Sequence, residues 1–264
     1  MHRQRIRVFS MPFLALLLAA ACSGATQPSA SAHSGALEVD LQLRLRDGMR
    51  LVQQVAIIVK GSGAGLGRES GQTQRQTQSR EMTISNVTAS TFDARFAVNG
   101  TPIAATGTFS KDWTILNFKT DEPNVMSGVD QAQLRAALQP LQKIMKQSSQ
   151  LFGRWTVGEQ RPTNLLFPVP NGQEVLFKLA ITFRRVTMVQ DRNAGEFEFN
   201  GASDFVVSGQ KARVNLNGRS WIDLVTGITL RASAGGRVDM QLPAGPVRID
   251  FEQDETLDLA LSRL

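Results

Sequence analysis

The chain is expected to be mainly β, a long, curved antiparallel sheet or half-barrel wrapping a kinked central helix. Three observations predict this. Leu37, Val39, Leu41, Leu43 and Leu45 alternate with polar residues, the period-two pattern of a half-buried strand. The alternation returns in Val175, Phe177, Leu179, Ile181 and Phe183, within a run well over ten residues long. Strands of that length must twist, which favours curvature over a flat sheet. One stretch alone changes period: Leu134, Leu138, Leu141, Met145, Ser148 and Phe152 recur at helical spacing.

Residues 1–21 come first. Arg3, Arg5 and Arg7 precede an apolar run from Val8 to Leu18. A bilayer span needs about 20 apolar residues, so this stretch reads as a cleaved export signal. It ends Leu18-Ala19-Ala20-Ala21-Cys22, and Cys22 is the only cysteine. These residues resemble the lipobox of bacterial lipoproteins, with leucine four places before the cysteine instead of three. The resemblance implies a diacylated Cys22, and Ser23 after it resembles lipoproteins sorted to the outer membrane. The expected location is therefore the periplasmic face of that membrane. Ordinary cleavage leaving a free thiol is the alternative. Buried acyl chains contribute about 0.8 kcal/mol per methylene, so two or three would anchor durably. Residues 22–35, rich in Ser, Ala, Thr and Gly, then serve as a flexible tether.

Residues 36–264 are expected to form a single β-rich domain, with strands over 37–119, a helix over 129–152 and strands over 174–261. Asp47-Gly48 is the dipeptide of a tight hairpin, joining 37–46 to 49–60. Gly61 to Arg80, with its glycines and Gln72, Gln74, Gln76 and Gln78, offers nothing to bury and reads as a long loop. Its cations Lys60, Arg68, Arg75 and Arg80 suit either solvent or an anionic partner. Phe92, Ala94, Phe96 and Val98 begin another hairpin turned at Asn99-Gly100, and Trp113 to Lys119 adds a strand. Pro140 kinks or divides the helix. Pro162, Pro168 and Pro170 suggest a crossing segment. In the second half, Asn200-Gly201 is expected to turn the chain, as is Thr226-Gly227.

Charge and composition narrow the function. The formal charge of +6 falls to about +3 when the leader arginines leave, and no basic patch is interleaved with aromatics as a nucleic-acid surface requires. His2 and His33 are the only histidines, one in the leader and one in the tether. The domain thus lacks imidazole for a catalytic relay or a metal site, and it is expected to be non-enzymatic, without cofactor or metal. The carboxylate pairs Glu196/Glu198 and Asp250/Glu252 each share a sheet face. They suit a solvated outer surface, or more remotely a carboxylate-dependent hydrolase.

Two β halves flanking a helix behind a lipobox-like leader resemble the half-barrel carriers typified by the lipoprotein chaperones LolA and LolB and by mycobacterial glycolipid-binding lipoproteins. Gly218, Ser220, Asp223, Thr226 and Gly227 also form the Gly-x-Ser/Ala-x-x-Asp-x-x-Thr-Gly hairpin of uncharacterised bacterial lipoproteins. The element order differs, since the LolA-like fold begins with a helix. The resemblance implies a concave apolar surface for a lipid, another hydrophobic ligand or a lipoprotein's acyl chains. Its candidate lining is Leu41, Leu43, Val55, Ile57, Phe92, Phe96, Phe177, Leu179, Ile181, Phe183, Phe197 and Phe199. Each is equally an alternating core residue. The other functional reading is a structural or adaptor lipoprotein that docks an envelope protein.

Overall fold

The computed structural model describes residues 37–64, 66, 70–98, 104–111, 114–120, 151–168, 174–207 and 209–261. Cys22, the leader, the tether, the Asn99-Gly100 turn and residues 121–150 lie outside them.

Thirteen strands make up the described chain. They are β1 (Glu38–Leu41), β2 (Met49–Ser62), β3 (Thr73–Ser85), β4 (Thr91–Val98), β5 (Ala104–Ser110), β6 (Ile115–Thr120), β7 (Gly153–Thr156), β8 (Gln160–Pro168), β9 (Glu174–Val189), β10 (Arg192–Val207), β11 (Gln210–Asp223), β12 (Thr229–Leu242) and β13 (Gly245–Leu261). Eleven form one antiparallel sheet in the order β6-β5-β4-β3-β2-β13-β12-β11-β10-β9-β8, and β1 pairs with β7 in a separate ribbon. Apart from the β13–β2 pairing, every neighbour in the large sheet is a neighbour in sequence. The alternation read from 174 onward does produce strands of fourteen to seventeen residues.

The central helix is a correction. Among the described residues there is no α-helix, and the fold class is a long antiparallel sheet. Most of the predicted helix falls in 121–150, but its last two residues do not: Leu151 and Phe152 run straight into β7, through Gly153 at φ 99°. The reason lies in what covers the buried face of the sheet. Leu41 of β1 and Trp155 of β7 are 0% and 1% exposed, and both pack with Phe183 and Phe197. The Trp155 ring stands edge-on to Phe197 at 5.2 Å, and Phe183 stacks on Phe197 at 4.9 Å. Trp155 Nε1 donates to the Leu151 carbonyl at 2.6 Å, so the buried indole N–H is satisfied. A β ribbon thus occupies the place expected for the helix.

Four local expectations fail for related reasons. The strand at 37–46 does not fold back on β2. Asp47-Gly48 turns, but Glu38 to Leu41 pair with Gly153 to Thr156, and residues 42–46 continue as an extended strap. Gly61 to Arg80 is not one loop, because Thr73 to Lys60 opens a register that runs to Thr83 against Arg50. Backbone pairing with β2 places Gln74, Gln76 and Gln78 in a strand, although they bring no apolar side chains. Asn200-Gly201 lies mid-strand, opposite both Asn217–Leu216 and Ala180–Leu179. A Cβ at Gly201 would meet the Lys178 carbonyl oxygen at 2.4 Å, so the glycine serves close strand approach and not a turn. The proline-marked segment is also a strand. Pro162 and Pro168 lie on β8, at the edge of the sheet, the position in which a strand tolerates proline.

Two apolar clusters fill the buried face. The first draws Phe177, Leu179, Ile181 and Phe183 of β9 together with Phe197, Phe199, Val214, Leu216 and Phe251. The second gathers Leu43 and Leu45 of the strap with Met49, Leu51, Ile84, Phe92, Phe109 and Leu257. On the opposite face, charges pair across strands: Arg50 with Glu81 at 2.7 Å, Arg184 with Glu198 at 2.7 Å and Arg237 with Asp250 at 2.8 Å. Exposed pairs of this kind add little stability, but they mark that face as water-facing.

Candidate functional site

Three places on the sheet gather functional chemistry: the 218–227 hairpin, a polar belt between the two apolar clusters, and a groove at one end.

The hairpin is structural in its geometry. Asp223 ends β11 and is 0% exposed. Its Oδ2 accepts from Thr226 Oγ1 at 2.5 Å and from the Thr226 N–H at 3.2 Å, and Arg192 Nη1 lies 3.4 Å away. The turn is then welded to the strap, since the Arg44 N–H donates to the Thr226 carbonyl at 2.8 Å. Gly227 adopts φ 72°, and a Cβ there would lie 2.2 Å from the Gln42 carbonyl oxygen. Gly218 makes room for the Phe199 ring, and Ser220 is buried. Asp223, Thr226 and Gly227 of the motif therefore hold the β11–β12 turn against the chain that enters β2. Gly227→Ala is expected to destabilise by about 2 kcal/mol or more, from strain at positive φ plus the backbone clash. Urea unfolding measures it, and a change under 0.5 kcal/mol would contradict this reading.

The polar belt was hidden by strong alternation. On β13 the buried phase reads Val247, Ile249, Phe251, Gln253, Glu255, Leu257, so two polar side chains stand in apolar register. On β2 the same phase includes Gln53 between Leu51 and Val55, and on β3 it includes Gln78 and Arg80 before Met82 and Ile84. The register brings these together, with Gln53 opposite Arg80 and Val55 opposite both Gln78 and Glu255. Gln53 Nε2 donates to Glu255 Oε1 at 2.6 Å, and Arg80 Nη2 donates to Gln78 Oε1 at 2.7 Å. Gln253 and Glu255 are 2% and 1% exposed. Burial pushes the Glu255 carboxyl up to about 7, against the opposing pull of the Gln53 hydrogen bond and the Arg80 charge. Arg80, also desolvated, is pushed below its ordinary value. The Gln253 amide oxygen and nitrogen and Glu255 Oε2 are buried without a partner among the described residues. Such groups are few in folded proteins and each asks for a reason.

The groove opens where β10, β11, β12, β13 and β2 end together. It has a volume of about 880 Å³ and is walled by Phe205, Val206, Ala212, Met240, Pro246 and Val247. Lys211, Arg213 and Arg248 stand at it with Asp204 and Asp239. Its size lies in the usual range for small-molecule sites.

The sequence-derived lining residues lie elsewhere. Leu41, Phe177, Leu179, Ile181, Phe183, Phe197 and Phe199 are buried within the first cluster, and Leu43 and Phe92 within the second. Val55 is buried beside the belt, Ile57 is half-buried, and the backbone of Phe96 pairs with Met82 and Ala105. The structure thus packs most of these side chains against one another and places the open apolar wall nearer the strand ends. Phe205 and Met240 could have been found by continuing the phase of Phe197 and Phe199 past Gly201 and Ser203, and of Val238 by two residues.

Of the carboxylate pairs, Glu196, Glu198 and Asp250 lie against arginines, and Glu252 is exposed. Glu196, 3% exposed, lies 2.7 Å from Arg185 and 3.4 Å from Arg219. The Arg184 hydrogen bond holds the Glu198 carboxyl below the usual carboxylate range. Among the described residues no group of three or more His, Cys, Asp or Glu is arranged to hold a metal ion.

No family model matches the chain, and no curated protein matches it significantly. Two solved structures are similar in part. One is described as the hypothetical lipoprotein YmcC from Escherichia coli (K12), 14% identical, covering 75% of this chain and 85% of its own at a TM-score of 0.25. The other is described as the outer membrane protein OprG from Pseudomonas aeruginosa, 8% identical, covering 81% of this chain and 94% of its own at a TM-score of 0.15. Neither is described as a LolA- or LolB-like carrier. At these TM-scores the likenesses carry no argument about function.

Proposed function

We propose that this is a non-enzymatic lipoprotein of the bacterial envelope, held to a membrane through acylated Cys22, that takes an acyl chain or similar hydrophobic ligand into the end groove. The observation that carries the reading is the groove itself, about 880 Å³ with an apolar wall from four strands. The leader, with its lone Cys22, supports the anchoring half.

Protein expressed without its leader and purified by gel filtration should release lipid on solvent extraction, detected by mass spectrometry. Met240→Glu, placing a charge on the half-buried groove wall, should lower that lipid at least tenfold while the protein still unfolds cooperatively. Repeated lipid-free preparations of wild-type protein would reject ligand carriage. For the anchor, Cys22→Ser should move the full chain from the membrane to the soluble fraction. Identical fractionation of the two would reject it.

A second reading, an adaptor that docks another envelope protein, is favoured by the filled packing beneath β9, β10 and β11. It expects lipid-free protein and a crosslinked partner at an edge strand, β6 or β8.

A further inference from the structure

The polar belt has a chemistry of its own. Gln253 presents two N–H donors and one acceptor, and Glu255 Oε2 presents a further acceptor. All are buried and unpartnered among the described residues, although Glu255 Oε1 is already engaged by Gln53. A bound anion would sit against Glu255, and a bound cation would sit near Arg80. A neutral group that donates and accepts at adjacent positions, such as a pair of vicinal hydroxyls, suits both neighbours. Glu255, pushed up to about 7 by burial, offers both a donating and an accepting form near neutrality.

The belt also lies in line with the groove on one face of β13. Along β13, Val247 at the groove and Gln253 in the belt are six residues apart, roughly 20 Å at about 3.3 Å per residue. Between them run Ile249 of β13 with Val59 and Ile57 of β2, paired in register opposite Gly61, Phe251 and Gln253. These three apolar side chains are half-buried, and so are Gln78 and Arg80 at the far end. A lane of half-buried apolar side chains therefore runs along the sheet from the groove towards polar groups lacking partners.

We propose that Gln253, Glu255 and Gln53 bind the hydroxyl-bearing neutral head of an amphiphile whose chain lies along this lane into the groove. This rests on the carriage reading above, and it names the class of ligand: a monoacylglycerol-like or similarly polyhydroxylated lipid.

The test compares two probes with the same tail on delipidated protein lacking its leader. 1-Monomyristoylglycerol carries vicinal hydroxyls, and methyl myristate carries none. Wild-type protein should bind the glycerol ester at least tenfold more tightly. Gln253→Leu should bring the two affinities together. Equal wild-type affinities would overturn the head-group site and leave the groove standing. Binding of neither probe would overturn both readings. Gln253→Leu removes only polar atoms that lack partners, so it should fold. If it does not, Glu255→Gln, which keeps the shape, should still reduce the preference at least threefold, and an undiminished preference would overturn the site. A more stable Gln253→Leu protein that keeps the full preference would also overturn it, because the belt would then be holding water alone.

Discussion

Asp223→Ala is expected to destabilise the protein by about 3–5 kcal/mol, the scale on which removing one member of a buried charged network acts. The side chain is 0% exposed and is the common acceptor for the Thr226 hydroxyl and the Thr226 N–H. Alanine leaves those donors buried without a partner, and the penalty for each is larger than the bond was worth. The turn also carries long-range load. Its Thr226 carbonyl accepts from Arg44, and Gly227 lies against the Gln42 backbone, so loosening it frees the strap that brings Leu43 and Leu45 to the second cluster. Thr226→Ala should cost less, about 1–2 kcal/mol, because it removes one short bond and one weak one at 3.4 Å to the Ile228 N–H. Arg192→Ala should cost least, since its 3.4 Å contact is long and its side chain remains partly solvated. Urea unfolding of the three variants should give that order. An Asp223→Ala protein within 0.5 kcal/mol of wild type would show the hairpin to be incidental to stability.

That network also marks the boundary of what sequence patterning conveys. The Thr226-Gly227 turn was legible because its chemistry is local, and so were the long strands, whose phase survives sixteen residues. The partner of β1 was not legible. Asp47-Gly48 is a strong turn signal, but nothing in residues 38–41 says that their backbone hydrogen bonds go to Gly153–Thr156, more than a hundred residues away. β3 was missed because glutamine and threonine carry no hydrophobic signature, whereas backbone pairing with β2 needs none. Asn200-Gly201 misled because the same dipeptide serves a tight turn and a close strand approach, and only the neighbour at Lys178 distinguishes them. The belt was legible in principle. Gln53, Gln253 and Glu255 each break an otherwise apolar phase, and a polar residue in buried register is more informative than any number of leucines.

Glu255 makes the second large prediction, a stability that falls as pH rises through neutrality. Its ordinary value is 4.5 and its folded value about 7, so between those limits the folded protein holds a proton that the unfolded chain has released. Stability then decreases with pH across this window, because the native state binds more protons than the unfolded one. About 1.4 kcal/mol per pKa unit gives a loss of about 3 kcal/mol between pH 4.5 and pH 7.5. The only described charge that faces it is Arg80 on β3; its other neighbours on the buried face are Gln53 and Val55 of β2 and Ala232 of β12. Glu81, Asp93, Glu159 and Glu198 are held below their ordinary values by hydrogen bonds. Their stabilisation is complete above the usual carboxylate range and is lost only as pH falls below it, so it does not mask the Glu255 window. Urea midpoints at pH 5 and pH 8 should differ in wild type and converge in Glu255→Gln. Arg80→Met should move the midpoint of the pH profile upward, because the guanidinium is the charge that favours ionised Glu255. A wild-type profile flat from pH 5 to pH 8 would mean that water reaches Glu255, and that the carboxylate is solvated where the packing of β2, β12 and β13 leaves it dry.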